Sequence, residues 1–249
     1  MNVKLAAKYQ LNEYIKSIKI YYLVLVLIML FFGIIASVER SDGVSYFGGI
    51  ESTTMIFLFI LGLNSFKETF LMMLQNGITR KSMFIGRLIT ILVTSISMTV
   101  IDRLVNSLGE LVNNSKRVKI GRMYEMTFPK RAESLHVIVV NLEAILIIMG
   151  IYIAAMVAGY FITTAYYRMN KVLKIIASIG VPALFFVLLP IFDLAVFKGK
   201  ISTAMGRMFR FMSGGDTGNP YNLLLTCLVF SVVAVGLTWL LIRKAVEKN

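Results

Sequence analysis

The chain has 249 residues, 57% of them hydrophobic and 16% charged. Its mean hydropathy of +0.78 is too high for a soluble domain of this length and marks a membrane protein. One cysteine and one histidine exclude an intramolecular disulfide framework and a multi-histidine metal centre. No P-loop and no HExxH occurs, so the chain carries no glycine-rich ATP cradle and no zinc-protease site. The formal charge of +13 lies mostly between the apolar runs. That placement suits membrane topology and anionic headgroups, not nucleic acid.

Residues 1–19 interleave Lys4, Lys8, Lys16 and Lys19 with Leu5, Tyr9, Leu11, Tyr14 and Ile18. This pattern predicts an amphipathic helix lying on the cytoplasmic membrane surface. The apolar run that follows is long and lacks a small-x-small exit, which argues against a cleaved signal peptide. The first span is expected over 20–36, with Tyr21 and Tyr22 as interfacial anchors. Four lysines before it, and Arg40 alone close behind, place the N-terminus inside. The second span is expected over 44–64, because Met55 to Leu63 is too short alone and must reach back through Gly48, Gly49 and Glu51.

Residues 65–83 are too polar for a bilayer core and are expected to form an elbow. Phe66, Phe70, Met73 and Leu74 share one helical face, with Lys67, Glu68 and Gln75 off it. Asn76-Gly77 supplies a helix stop. Thr79 can cap a second helix that opens with Arg80 and Lys81 and enters the third span, 84–101. Asp102, Arg103 and Glu110 continue its helical pattern beyond the bilayer. The segment 113–134 is a basic connection, within which VKIGRMYEMTF is expected as a small hairpin.

The fourth span covers 137–163 and carries Gly150, Ala154 and Ala158 at four-residue spacing. Such a stripe admits a close helix neighbour, in the same subunit or a second one. The fifth span, 172–197, contains Pro182 and Pro190, which predict kinks. Ile201, Met205, Met208 and Met212 then mark a short helix at the outer leaflet. Asn219 and Pro220 are suited to cap the sixth span, 223–242. The expected fold is therefore an all-α integral membrane protein of one domain, 1–249, with about six transmembrane helices and both termini inside. Basic residues are in modest excess on the inner segments.

Ionisable residues near or inside spans are the natural suspects for function: Glu51, Asp102, Arg103, Glu110, Glu143 and Asp193. Glu143 lies about two turns into the fourth span and wants a partner. By depth that partner is Arg103, as a structural ion pair. The serines and His136 lack any nucleophile motif, so no self-contained enzyme is expected. A channel would want a polar stripe through the inner halves of the spans, which hydropathy does not reveal.

The stretch SFKETFLMMLQNGITRKSMFIGRL, through Phe66, Glu68, Gly77, Arg80, Phe84, Gly86 and Leu88, resembles the first cytoplasmic loop of type-2 ABC exporter permeases. In that family the loop is a coupling helix that docks on the ATPase subunit. The resemblance implies a transmembrane permease subunit of the bacterial cytoplasmic membrane. Its partners would be an ABC ATPase, a second identical or different permease and membrane lipids, with no nucleic acid. This chain would bind no cofactor, ATP and Mg residing on the partner. Phe66, Phe70, Met73 and Leu74 would fill the ATPase groove, Gly77 would fix the turn and Arg80 would pair with an acidic surface. The cargo would be hydrophobic or amphipathic: an antimicrobial or cytolytic peptide, a drug or a lipid-linked molecule. The rival reading is a stand-alone membrane immunity or sensor-partner protein without an ATPase.

Overall fold

The computed structural model describes residues 3–38, 45–112 and 118–243, with the side chains of residue 33 and of 36–47 and 109–120 left outside the description. Arg40, Lys116 and Arg117 and the side chains of Glu110 and Lys119 lie outside it. The chain begins with one unbroken helix, α1 (Val3–Val38). The expected surface helix and first span are thus a single rod, and no break occurs near Lys19. At about 1.5 Å per residue α1 is roughly 54 Å long, so its basic first half runs on past a hydrocarbon core of ~30 Å. That half is held against the rest of the chain, with Ala6, Gln10 and Tyr14 buried.

Strand β1 (Ser45–Gly48) precedes α2 (Ile50–Leu63), with Gly49 at φ 98° between them. The second span is therefore not helical back to residue 44. Its helix has 14 residues, about 21 Å, and continues after a 41° bend into α3 (Lys67–Gln75). Then comes α4 (Arg80–Val112), which extends the third span beyond Asp102 as expected. Strand β2 (Val118–Gly121) pairs in parallel with β1, Ser45 opposite Val118 and Gly48 opposite Gly121. The hairpin expected within 118–128 is absent. Its first half pairs with a distant strand, and its second half forms the short helix α5 (Met123–Thr127), followed by α6 (Pro129–Ser134).

Helix α7 (Val137–Arg168) is capped by His136, whose ring accepts from the Ile138 amide. Helix α8 (Lys171–Phe197) stays one helix despite Pro182 and Pro190. Three π-helical turns, 176–180, 184–188 and 193–197, widen it around both prolines. Around the prolines, where kinks are expected, the backbone takes i→i+5 hydrogen bonding. Helix α9 (Lys200–Ser213) follows a left-handed corner at Lys198 and Gly199. Asp193 fixes that corner. Its carboxylate accepts from the Ile201 and Ser202 amides at 2.9 and 2.7 Å and from the Ser202 hydroxyl at 2.6 Å. Helix α10 (Pro220–Ile242) begins at the expected cap, Asn219 Oδ1 accepting from the Tyr221 amide.

Among the described residues, five helices are long and apolar enough to cross a membrane, or six with the bent α2–α3 pair taken as one crossing. The fold fits a helical multi-pass membrane protein. Its packed centre is made by α1, α2, α4, α7 and α10. The tightest approach is between α2 and α7. A Cβ on Gly62 would lie 2.4 Å from the Met156 carbonyl oxygen, and one on Gly159 would lie 2.3 Å from that of Phe59. The expected stripe contributes at Gly150, which faces Leu224 and Cys227 of α10, while Ala154 and Ala158 are half-buried. Helix α8 stands apart, with none of its apolar window buried.

Candidate functional site

The elbow forms as its local sequence dictates. Asn76 ends α3 and Gly77 takes φ 71°. The Gly77 amide donates to the Leu74 carbonyl and the Ile78 amide to the Met73 carbonyl, both at 2.9 Å. These are the paired bonds of a Schellman stop, and Met73 and Ile78 bury the apolar contact that accompanies it. Thr79 then accepts from the Ser82 amide at 3.3 Å and α4 starts.

The apolar face of α3 is turned into this chain's own core, which corrects its expected role. Phe66, Phe70 and Met73 are 3%, 2% and 0% exposed. The two Phe rings stack at 4.8 Å, and both meet Tyr167 of α7 edge-on. The Met73 thioether Sδ accepts from Gln10 Nε2 of α1 at 3.6 Å. Burying each such side chain from water stabilises by about 1.5–3 kcal/mol, so these residues anchor the elbow and do not fill another protein's groove. Leu74 is half-buried. The outward face consists of Lys67, Glu68, Gln75 and Asn76, with Leu71 and Met72 half-buried beside them. Arg80 donates to the Arg243 carbonyl at the end of α10, 2.9 Å away. It thereby ties the elbow to the last helix, while its charge stays unneutralised by that carbonyl.

Arg87 lies beneath the elbow and is 2% exposed. It donates to the Tyr14 hydroxyl at 2.5 Å and the Ser65 carbonyl at 2.6 Å. Its guanidinium lies over the rings of Tyr14 and Tyr160, at 5.3 and 5.8 Å from their centroids. One side chain of α4 thus holds α1, the end of α2 and α7 together. Thr69 adds a bond from α3 to Glu13 of α1 at 3.0 Å. A force applied to α3 has a rigid path into these helices.

Two more polar assemblies lie at the opposite end of the bundle. Glu143 pairs with Arg131 of α6, which corrects the expected Arg103 partner. Arg131 is bidentate, Nη2 to Oε1 at 2.7 Å and Nε to Oε2 at 2.8 Å. Tyr221 donates to Oε1 at 2.8 Å and Tyr124 to Oε2 at 2.5 Å. Four donors saturate the buried carboxylate, clamping α5, α6, α7 and α10 together. Burial and the hydrogen bond to Glu143 push the Tyr124 phenol up to about 12. The bond to Glu143 likewise raises the Arg131 guanidinium above its ordinary value.

The second assembly is fully inside the bundle. Asp102 accepts from Tyr22 Oη at 2.7 Å and from Tyr152 Oη. Asn106 Nδ2 donates to Glu51 Oε1 at 2.7 Å, and Tyr21 and Thr54 share a bond of 2.7 Å beside them. Glu51, Asp102 and Asn106 are each 1% exposed.

Asp102 and Asn106 end a stripe on α4 in which Arg87, Thr90, Thr94, Ser95 and Thr99 are also buried. This stripe runs down into the half of the bundle nearer the elbow, where the sequence reading expects no polar line. Its three- and four-residue spacing is the signal in the sequence. Arg87, Tyr14, Tyr152 and Gln10, absent from the expected site, act through contacts between helices far apart in the chain.

Within the class of helical multi-pass membrane proteins, comparison adds no closer relation. No protein-family model, curated protein or solved structure matches the chain. The likeness of the 65–88 stretch to the exporter loop stands on its own residues.

Proposed function

We propose that this chain is the transmembrane permease subunit of a bacterial ABC exporter. In this reading a separate ATPase subunit grips the elbow and drives export of a hydrophobic or amphipathic cargo. The observation that carries it is the two-faced α3. One face is locked into α1, α4 and α7, while Lys67, Glu68, Gln75 and Asn76 face outward on a rigid turn. A partner that pushes this outward face moves three helices as one body. Contact is made by that polar rim with Leu71 and Met72, and Phe66, Phe70 and Met73 transmit the push. Pairing with a second permease subunit follows from the family likeness. Both termini, the elbow and the α7–α8 turn face the cytoplasm, and the cargo class follows from the family likeness alone.

A photo-crosslinking residue at Leu71 or Gln75, activated in native membranes, tests the reading. The expected adduct is a P-loop ATPase, found by mass spectrometry and lost when Lys67 and Glu68 are both charge-reversed. Adducts with lipid alone, or with no nucleotide-binding protein, would overturn it.

A further inference from the structure

We propose that Glu51 and Asn106, beside Asp102, form a buried binding site for one sodium ion. The inference stands apart from the exporter reading and rests on unequal satisfaction of neighbouring polar groups. Asp102 has a phenol on each carboxylate oxygen, Tyr22 on Oδ1 and Tyr152 on Oδ2. Glu51 has one donor, Asn106, on Oε1. Among the described residues, Glu51 Oε2 and Asn106 Oδ1 have no hydrogen-bond partner, and the two residues are each 1% exposed. Asn106 already turns its only donor group to Glu51, so its Oδ1 cannot be relieved by rotating the amide.

Two buried oxygens on adjacent side chains, each without a donor, are costly to keep from water. Glu51 sits in the first turn of α2, where negative charge is favoured. A dehydrated sodium ion held by Oε2 and Oδ1 would supply what both lack. All the acceptors are oxygen, which suits a hard cation and not a thiophilic metal.

The titratable groups that interact with Glu51 are Asp102 from α4 and Tyr152 from α7, and Tyr21 and Tyr22 from α1 stand beside Asp102. Arg103, next along α4, has interactions of its own. Thr94 Oγ1 and Ser95 Oγ, also buried without partners, extend the polar line toward the elbow.

The test is thermal unfolding of the full chain in lipid nanodiscs. Sodium is exchanged for choline at constant ionic strength and pH. The wild-type midpoint is expected to rise saturably with sodium. Glu51→Gln, which keeps the shape and removes the carboxylate, should lose the response. Asn106→Leu should weaken the sodium response by roughly tenfold or more, and the exposed Glu133→Gln should respond as wild type. A wild-type midpoint indifferent to sodium would overturn the site, and so would a response equal to wild type in Glu51→Gln or in Asn106→Leu.

Discussion

At Glu143, four hydrogen bonds from side chains of three helices, α5, α6 and α10, meet one carboxylate, so the site answers sharply to single atoms. Arg131→Gln should destabilise the protein by about 3 kcal/mol, because it leaves a buried charge half-served. Arg131→Lys should restore little of this, since an ammonium cannot span both oxygens in plane. Denaturant unfolding of the Arg131→Gln and Glu143→Gln single and double variants should show losses well short of additive. Tyr124 adds a pH signature. Its folded value, raised to about 12, lies above its ordinary one. The stabilisation is therefore complete below a pH of about 10 and lost as pH rises through about 12. Alkaline unfolding of Tyr124→Phe should lack that step. Glu143 is legible in the sequence as a carboxylate too deep to stand alone. Its partner is not, because depth along a span points to Arg103, whereas Arg131 arrives from a loop helix folded back over the bundle.

The elbow is the element whose sequence says most, and the reason is that its signals are local. Asn76-Gly77 and Thr79 act within four residues of themselves and place the stop and restart where they occur. Gly77→Ala, forced to φ 71°, should cost about 1 kcal/mol, and Gly77→Asn much less, as read by thermal midpoints. Which way the apolar face of α3 points is a tertiary matter, decided by Tyr160 and Tyr167 more than ninety residues on. The α2–α7 contact is equally non-local. Gly62 and Gly159 stand out only once the two helices are in register. Gly62→Leu should separate them and sharply reduce the folded yield, measured by size-exclusion chromatography of the solubilised protein, whereas Gly206→Leu, with open space around it, should not. The prolines of α8 mislead for a related reason, since the helix absorbs them by widening its hydrogen bonding.

Across the whole molecule, a cohesive group of helices (α1, α2, α4, α7 and α10) is accompanied by one, α8, that has no buried apolar window. The group is pinned by Arg87 near the elbow and by Glu143 and Asp102 at the far end. In the proposed reading, a push on α3 would reach these helices together, and this is what a coupling role requires. The central claim is that the outward rim of α3 is a handle reached from the cytoplasm and covered by an ATPase. It is tested most directly by placing one cysteine at Gln75 in a Cys227→Ser background and treating with a membrane-impermeant maleimide. The account predicts labelling in inverted vesicles but not in intact cells, with protection in vesicles when the crosslinked ATPase is co-expressed. Labelling from the outside, or labelling unchanged by that ATPase, would contradict it.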